Sequence, residues 1–208
     1  ISALGQGFKE LTALQSLTLD FQGCGKLASI STLGQGLAKL TALQKLTVDF
    51  KGCLKIEEIS ALGLGLKNLT DLQHLTLAFG GCALLASMSA LSESLKELAA
   101  LRELSLDLSQ SRIPEVVSIL GQGLSKLTAL RNLKMVFRGC TNLEDISALG
   151  PGLAELTVLQ TLTLDFKGCW KLADISALGQ GLKKLTALRN STLDFESCWE
   201  FVGFFILG

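Results

Sequence analysis

What this 208-residue chain lacks narrows the field before anything it contains. His74 is its single histidine, and no two cysteines stand close together in sequence, so the usual spacing of a metal-binding cluster is missing. Serine and aspartate are plentiful, but they recur at fixed intervals. No Ser, His and Asp set stands out from that background, and no catalytic residue or cofactor is expected. Nineteen basic residues against nineteen acidic ones leave no net charge, which argues against nucleic acid, where neutralising phosphates leads binding. No apolar run approaches the ~18 residues of a transmembrane segment. There is no signal-like start either. The chain opens at Ile1, inside a repeat, and reads as an excerpt, so a missing targeting segment carries no weight.

What is present is a period. LTALQSLTLDFQGC, from Leu11 to Cys24, returns from Leu40 as LTALQKLTVDFKGC, and again from Leu69, Leu127, Leu156 and Leu185. Cys24, Cys53 and Cys82 lie 29 residues apart, as do Cys140, Cys169 and Cys198. Units begin at Ile1, Ile30, Ile59, Met88, Val117, Ile146 and Ile175, and 204–208 (FFILG) falls in register as a partial eighth. A period of this length marks a solenoid, and residues 1–208 read as one array. With 48% hydrophobic residues, the chain has ample material for a core.

Each unit carries two spacings. Ile1, Leu4, Phe8, Leu11 and Leu14 are three or four apart, one face of a helix. Ser2 and its equivalents Ser31, Ser60, Ser89, Ser118, Ser147 and Ser176 suit the N-cap position. Gly5 and Gly7 weaken that helix, which points to close packing of neighbouring turns; Pro151 fits only an opening turn. From Leu17 the spacing changes to two, through Leu19 and Phe21, giving a strand with those side chains on the core face. Strand, loop and helix in constant order predict parallel strands with helices on one side.

The block LQSLTLDFQGCGKL, followed by ISALGQGFKELTAL-type text, resembles leucine-rich-repeat proteins over the whole chain. Gly168, Cys169, Lys171, Leu172 and Asp174 look like the cysteine-containing class, while the 29-residue length looks like the ribonuclease-inhibitor class. One departure stands: five residues separate Leu19 from Cys24 where the familiar pattern has three, so loop geometry does not carry over. The resemblance implies an α/β fold, a curved right-handed solenoid with a parallel sheet on its concave face and helices on its convex face. It also implies a surface that binds proteins.

The six cysteines form one column with parallel side chains about 4.8 Å apart, which suits buried thiols better than bridged pairs or a metal site. Free thiols in turn suit a reducing, cytoplasmic compartment. On the concave face, one column runs Thr18, Thr47, Thr76, Ser105, Lys134, Thr163, Thr192, and the next Asp20, Asp49, Ala78, Asp107, Val136, Asp165, Asp194. The aspartates read first as solvated or as acceptors for the following loop, and second as an acidic stripe awaiting a basic partner or cations.

The fourth unit departs most from the repeat. It has Ser92-Glu93-Ser94 for Gly-Gln-Gly, Leu108 for Phe, Ser111 for Cys, and Arg112-Ile113-Pro114 in its loop. Drift in one unit is one reading. The other is a partner site made of His74, Ala78, Glu103, Asp107, Lys134, Val136 and Arg138. A second patch, Trp170, Trp199, Phe201, Phe204 and Phe205, is aromatic, and with no polar cap at either end it reads as a contact with further sequence or another subunit. The leading expectation is a non-catalytic protein-interaction scaffold. Alternatives are a structural subunit held in a larger complex by its open ends, and, more weakly, an ice- or surface-binding threonine array.

Overall fold

A computed structural model describes residues 1–113 and 116–198 of the chain. Seven turns follow one another: α1 (Ser2–Phe8) β1 (Ser16–Asp20), α2 (Ser31–Leu37) β2 (Lys45–Asp49), α3 (Ser60–Leu66) β3 (His74–Ala78), α4 (Ser89–Leu95) β4 (Glu103–Asp107), α5 (Val116–Leu124) β5 (Asn132–Val136), α6 (Leu149–Ala154) β6 (Thr161–Asp165) and α7 (Ser176–Leu182) β7 (Asn190–Asp194). The strands form one open parallel sheet in sequence order, β1 to β7. Register is constant, so Thr18 lies opposite Thr47 and Leu46 opposite Leu75. Parallel neighbours joined through a helix take the right-handed crossover.

The core forms because the inward side chains of each strand stack on those of the next. Leu46, Val48 and Phe50 are fully buried, as are Leu162, Leu164 and Phe166. The phenylalanine column stacks ring on ring, with centroids 5.4 Å apart for Phe21 and Phe50, 5.5 Å for Phe50 and Phe79, 5.2 Å for Phe137 and Phe166, and 5.4 Å for Phe166 and Phe195. Leu108 divides it into two runs. Outside the strands, Ile56, Leu85, Leu143 and Leu172 form a further buried column, while Leu27, the equivalent residue of the first unit, is only partly buried.

The cysteines are free, and five of the six are buried. Cys53 Sγ donates to the Phe21 carbonyl at 3.1 Å, and Cys82, Cys140, Cys169 and Cys198 repeat the bond to Phe50, Leu108, Phe137 and Phe166. Burial, reinforced by the Cys53 thiol, pushes Cys82 up to about 11, and burial with Cys169 does the same for Cys198. At neutral pH these two are protonated, and so poor nucleophiles.

The helices are shorter than their leucine spacing suggests. α1 ends at Phe8, and the chain continues through turns in which Leu11 N–H donates to Phe8 O at 3.1 Å and Leu14 N–H to Leu11 O at 2.9 Å. Successive three-residue turns bring Phe8, Leu11 and Leu14 to one side as a helix would, so the spacing alone does not separate the two. The serine caps are also corrected. Ser31, Ser60, Ser89 and Ser176 are the first helical residues, and the N-cap positions belong to Ile30, Ile59, Met88 and Ile175, which bury apolar side chains instead. The capping acceptor sits one residue earlier. Ser31 N–H donates to Ser29 Oγ, Ser89 to Ser87 Oγ, and Ser176 to Asp174 Oδ1.

Glycine lets the helices touch. A Cβ on Gly34 would lie 2.2 Å from the Ala61 carbonyl oxygen of the next unit, and one on Gly36 would lie 2.2 Å from the Gly5 carbonyl oxygen of the preceding unit. Within the array the first glycine of a Gly-x-Gly thus meets the following helix and the second the preceding one, whereas Gly7 in the first unit and Gly179 in the last have no neighbour to meet. In the fourth unit the substitutes Ser92 and Ser94 are buried, and their hydroxyls donate to Ile119 O at 2.5 Å and Leu91 O at 2.7 Å.

Candidate binding face

Every second strand residue projects from the sheet away from the helices, and constant register aligns those residues in columns. The aspartate column is architectural. Asp20, Asp49, Asp107, Asp165 and Asp194 each accept, through Oδ1, the backbone N–H two residues on, at 2.8 to 3.0 Å. This is the Asx turn that sends the chain out of the strand.

Where Ala78 interrupts the column, Lys51 reaches from the second unit to Asp107 in the fourth, Nζ to Oδ2 2.8 Å. Gly80 lies beside the pair, where a Cβ would make ordinary contacts, 3.6 Å from the lysine Cγ and 3.4 Å from Asp107 Oδ1. Ala78 is accordingly only 6% exposed, so it contributes little open surface to the expected patch. Arg138 Nη2 closes on Asp165 Oδ2 at 2.6 Å. His74 Nδ1 lies 3.0 Å from Glu103 Oε2, while Asn132 Nδ2 donates to Glu103 Oε1 at 3.1 Å, a link across three strands.

The expected patch residues thus lie together around two adjoining hollows. His74, Glu103 and Lys134, with Thr76, Ser105 and Asn132, line one of about 420 Å³. Asp107, Lys134, Val136, Arg138 and Asp165 line one of about 300 Å³. Lys134, the one cation in the hydroxyl column, belongs to both and is exposed. Sequence reasoning missed Lys51 and Asn132; the small pair Ala78 and Gly80 beneath a long lysine was the available signal. Of the aromatic patch, Trp170 is 49% exposed, while Trp199, Phe201, Phe204 and Phe205 lie outside the described residues, as do Pro114 and the partial eighth unit.

The His74 hydrogen bond, aided by Asn132, holds Glu103 below the usual carboxylate range. Burial alone would raise Asp107, but the Lys51 ammonium and the Ser109 hydroxyl and N–H together outweigh it and leave the carboxyl below its ordinary value. A folded-state value below the unfolded one gives stability that is complete above about pH 4, the ordinary aspartate range, and is lost as pH falls through the lower folded value. Thermal unfolding followed from pH 7 to pH 2 is expected to show a level melting temperature down to about pH 4.5 and a decline below it. Asp107→Asn is expected to start lower and decline less; a parallel curve would show that the Lys51 pair contributes nothing.

Seven in-register turns of strand, loop and short helix, with leucines filling the strand interiors, define a leucine-rich-repeat solenoid. No family model matches the chain. No curated protein matches it either. Among solved structures, an internalin, InlF, from Listeria monocytogenes is 22% identical with a TM-score of 0.49, the match covering 91% of this chain and 49% of that one. The chain therefore spans about half the length of the internalin structure. No helix among the described residues is long and apolar enough to cross a membrane, and among them no group of three or more His, Cys, Asp and Glu is placed to hold a metal ion.

Proposed function

We propose that the chain is a non-catalytic protein-interaction scaffold that receives a partner on the outward face of its sheet. One observation carries this reading: the hydroxyl and aspartate columns lapse together at β5, as Lys134 and Val136, and the two hollows meet at that strand. A face serving architecture alone has no reason to place a valine, a His–Glu–Asn link and a lysine that pairs with no carboxylate among the described residues side by side. The unbridged cysteines suit a reducing, cytoplasmic setting.

The test is an affinity capture from native extract with wild type and with the Lys134→Glu, Val136→Asp double variant. Both positions project outward, so the variant is expected to fold, as circular dichroism would verify. Loss of a wild-type partner by the folded variant is the expected result. Retention of the same large complex by both would overturn it in favour of a structural subunit held by its ends. That second reading has its own observation, since Leu4 and Leu11 are exposed at the first unit and Leu193 at the last strand.

A further inference from the structure

The charges on the sheet side are unevenly settled. Along the C-terminal ends of the strands, Asp107 is met by Lys51 and Asp165 by Arg138. Beyond them Lys167 meets Glu196, and Lys171 meets Glu144. The opposite rim, where the strands begin, differs. The residue just before each strand runs Gln15, Gln44, Gln73, Arg102, Arg131, Gln160, Arg189. Arg102 and Arg131 are consecutive in this column, and their backbones are joined, the Arg131 N–H donating to the Arg102 carbonyl at 2.8 Å.

Two guanidinium-bearing residues are therefore held one strand apart, both exposed. No carboxylate among the described residues pairs with either arginine, nor with Lys134 farther along β5. Glu103, next in sequence to Arg102, is already engaged by His74 and Asn132. The arginines also frame a cleft of about 480 Å³, lined by Thr128 and Thr157 and by Val158, which is 43% exposed. Planar donors, hydroxyls and an apolar wall around one cleft match a carboxylate on a short aliphatic stem, with guanidinium providing paired N–H donors.

We infer that the Arg102–Arg131 cleft anchors a glutamate- or aspartate-bearing segment of a protein partner, which then runs over Lys134 into the sheet-face groove. This rests on the binding-face reading above and names the partner's chemistry: an acidic peptide. Residual positive charge on this rim, in a chain whose net charge is zero, supplies the complementarity.

The test measures binding of a fluorescent octaglutamate peptide by anisotropy, in low and in physiological salt. Probes for comparison are octaglutamine and a single-stranded oligonucleotide of equal charge. Proteins are wild type, Arg102→Gln/Arg131→Gln, Lys134→Glu/Val136→Asp, and a control, Lys39→Gln, from the second unit. Octaglutamate is expected to bind wild type and the control alike, about tenfold more weakly to the arginine variant, and octaglutamine not at all. No octaglutamate binding, equal binding by the arginine variant, or oligonucleotide binding as tight as the peptide's would each overturn the inference. If the arginine variant loses octaglutamate while the Lys134→Glu/Val136→Asp variant still captures every wild-type partner, the anchor stands and the sheet-face reading falls. If partner capture depends on Lys134 and Val136 while octaglutamate ignores the arginines, the reverse holds.

Discussion

Gly34→Ala is expected to lower the stability of the array by about 3 kcal/mol, although it adds a single methyl group to a helix. On helix propensity alone the change would be favourable by about 0.5–1 kcal/mol. The decisive quantity is space. The new Cβ would meet the Ala61 carbonyl oxygen at 2.2 Å, the Ala61 carbonyl carbon at 2.3 Å and the Leu62 nitrogen at 2.7 Å, all backbone atoms. No rotamer change relieves such a contact, and moving α3 away would strain the paired strands on the far side of the core. Gly7→Ala supplies the contrast. It changes the second glycine of the same motif, but in the first unit, where nothing lies within 4 Å of the added carbon. Here propensity acts unopposed, and a gain of about 0.5 kcal/mol is expected. Urea unfolding followed by circular dichroism should move the two midpoints in opposite directions. Shifts of the same sign would show that helix-to-helix contact does not set the spacing.

Phe50→Ala is expected to be costlier still, about 3–5 kcal/mol, because the ring is fully buried and stacked on both sides. Phe21→Ala should cost roughly half as much, since Phe21 is only partly buried and stacks on one side. Phe50→Leu gives a finer test. Leu108 occupies the equivalent place in the fourth unit and is buried there between layers, so the fold accommodates leucine at this depth. The leucine variant should lose about 1–2 kcal/mol, mostly ring contact rather than an empty cavity. Equal midpoints for the alanine and leucine variants would refute a contribution from stacking.

What the sequence disclosed, and what it withheld, follow from one distinction. Features repeated every 29 residues were legible, because repetition separates signal from accident: the strand interiors and the close approach at glycine. Features set by a few tenths of a nanometre of chain path were not. Phe8, Leu11 and Leu14 keep a spacing that helix and consecutive turns share, so the end of α1 at Phe8 was hidden. Serine favours caps in general, but Ile30 and Ile59 take those positions because their side chains fill the core, leaving Ser29 to accept the N–H of Ser31. The Lys51 to Asp107 pair joins residues in units two apart, so it showed in the sequence only through the small residues of the intervening unit. It also explains why Ala78, expected in the partner site, is covered. The arginines of the strand-start rim were visible as letters, but that no carboxylate among the described residues pairs with them depends on where the chain carries each acidic side chain.

The order of the sheet has a mechanical consequence. Each strand bonds only to the units before and after it, so tension applied along the stacking direction meets one rung of hydrogen bonds at a time. Such a load opens a zipper instead of shearing a block. Every turn that comes free releases 29 residues, roughly 100 Å of extended chain, from a layer about 4.8 Å thick. The array would therefore yield as a spooling tether that lengthens some twentyfold per layer while the remaining layers keep their shape.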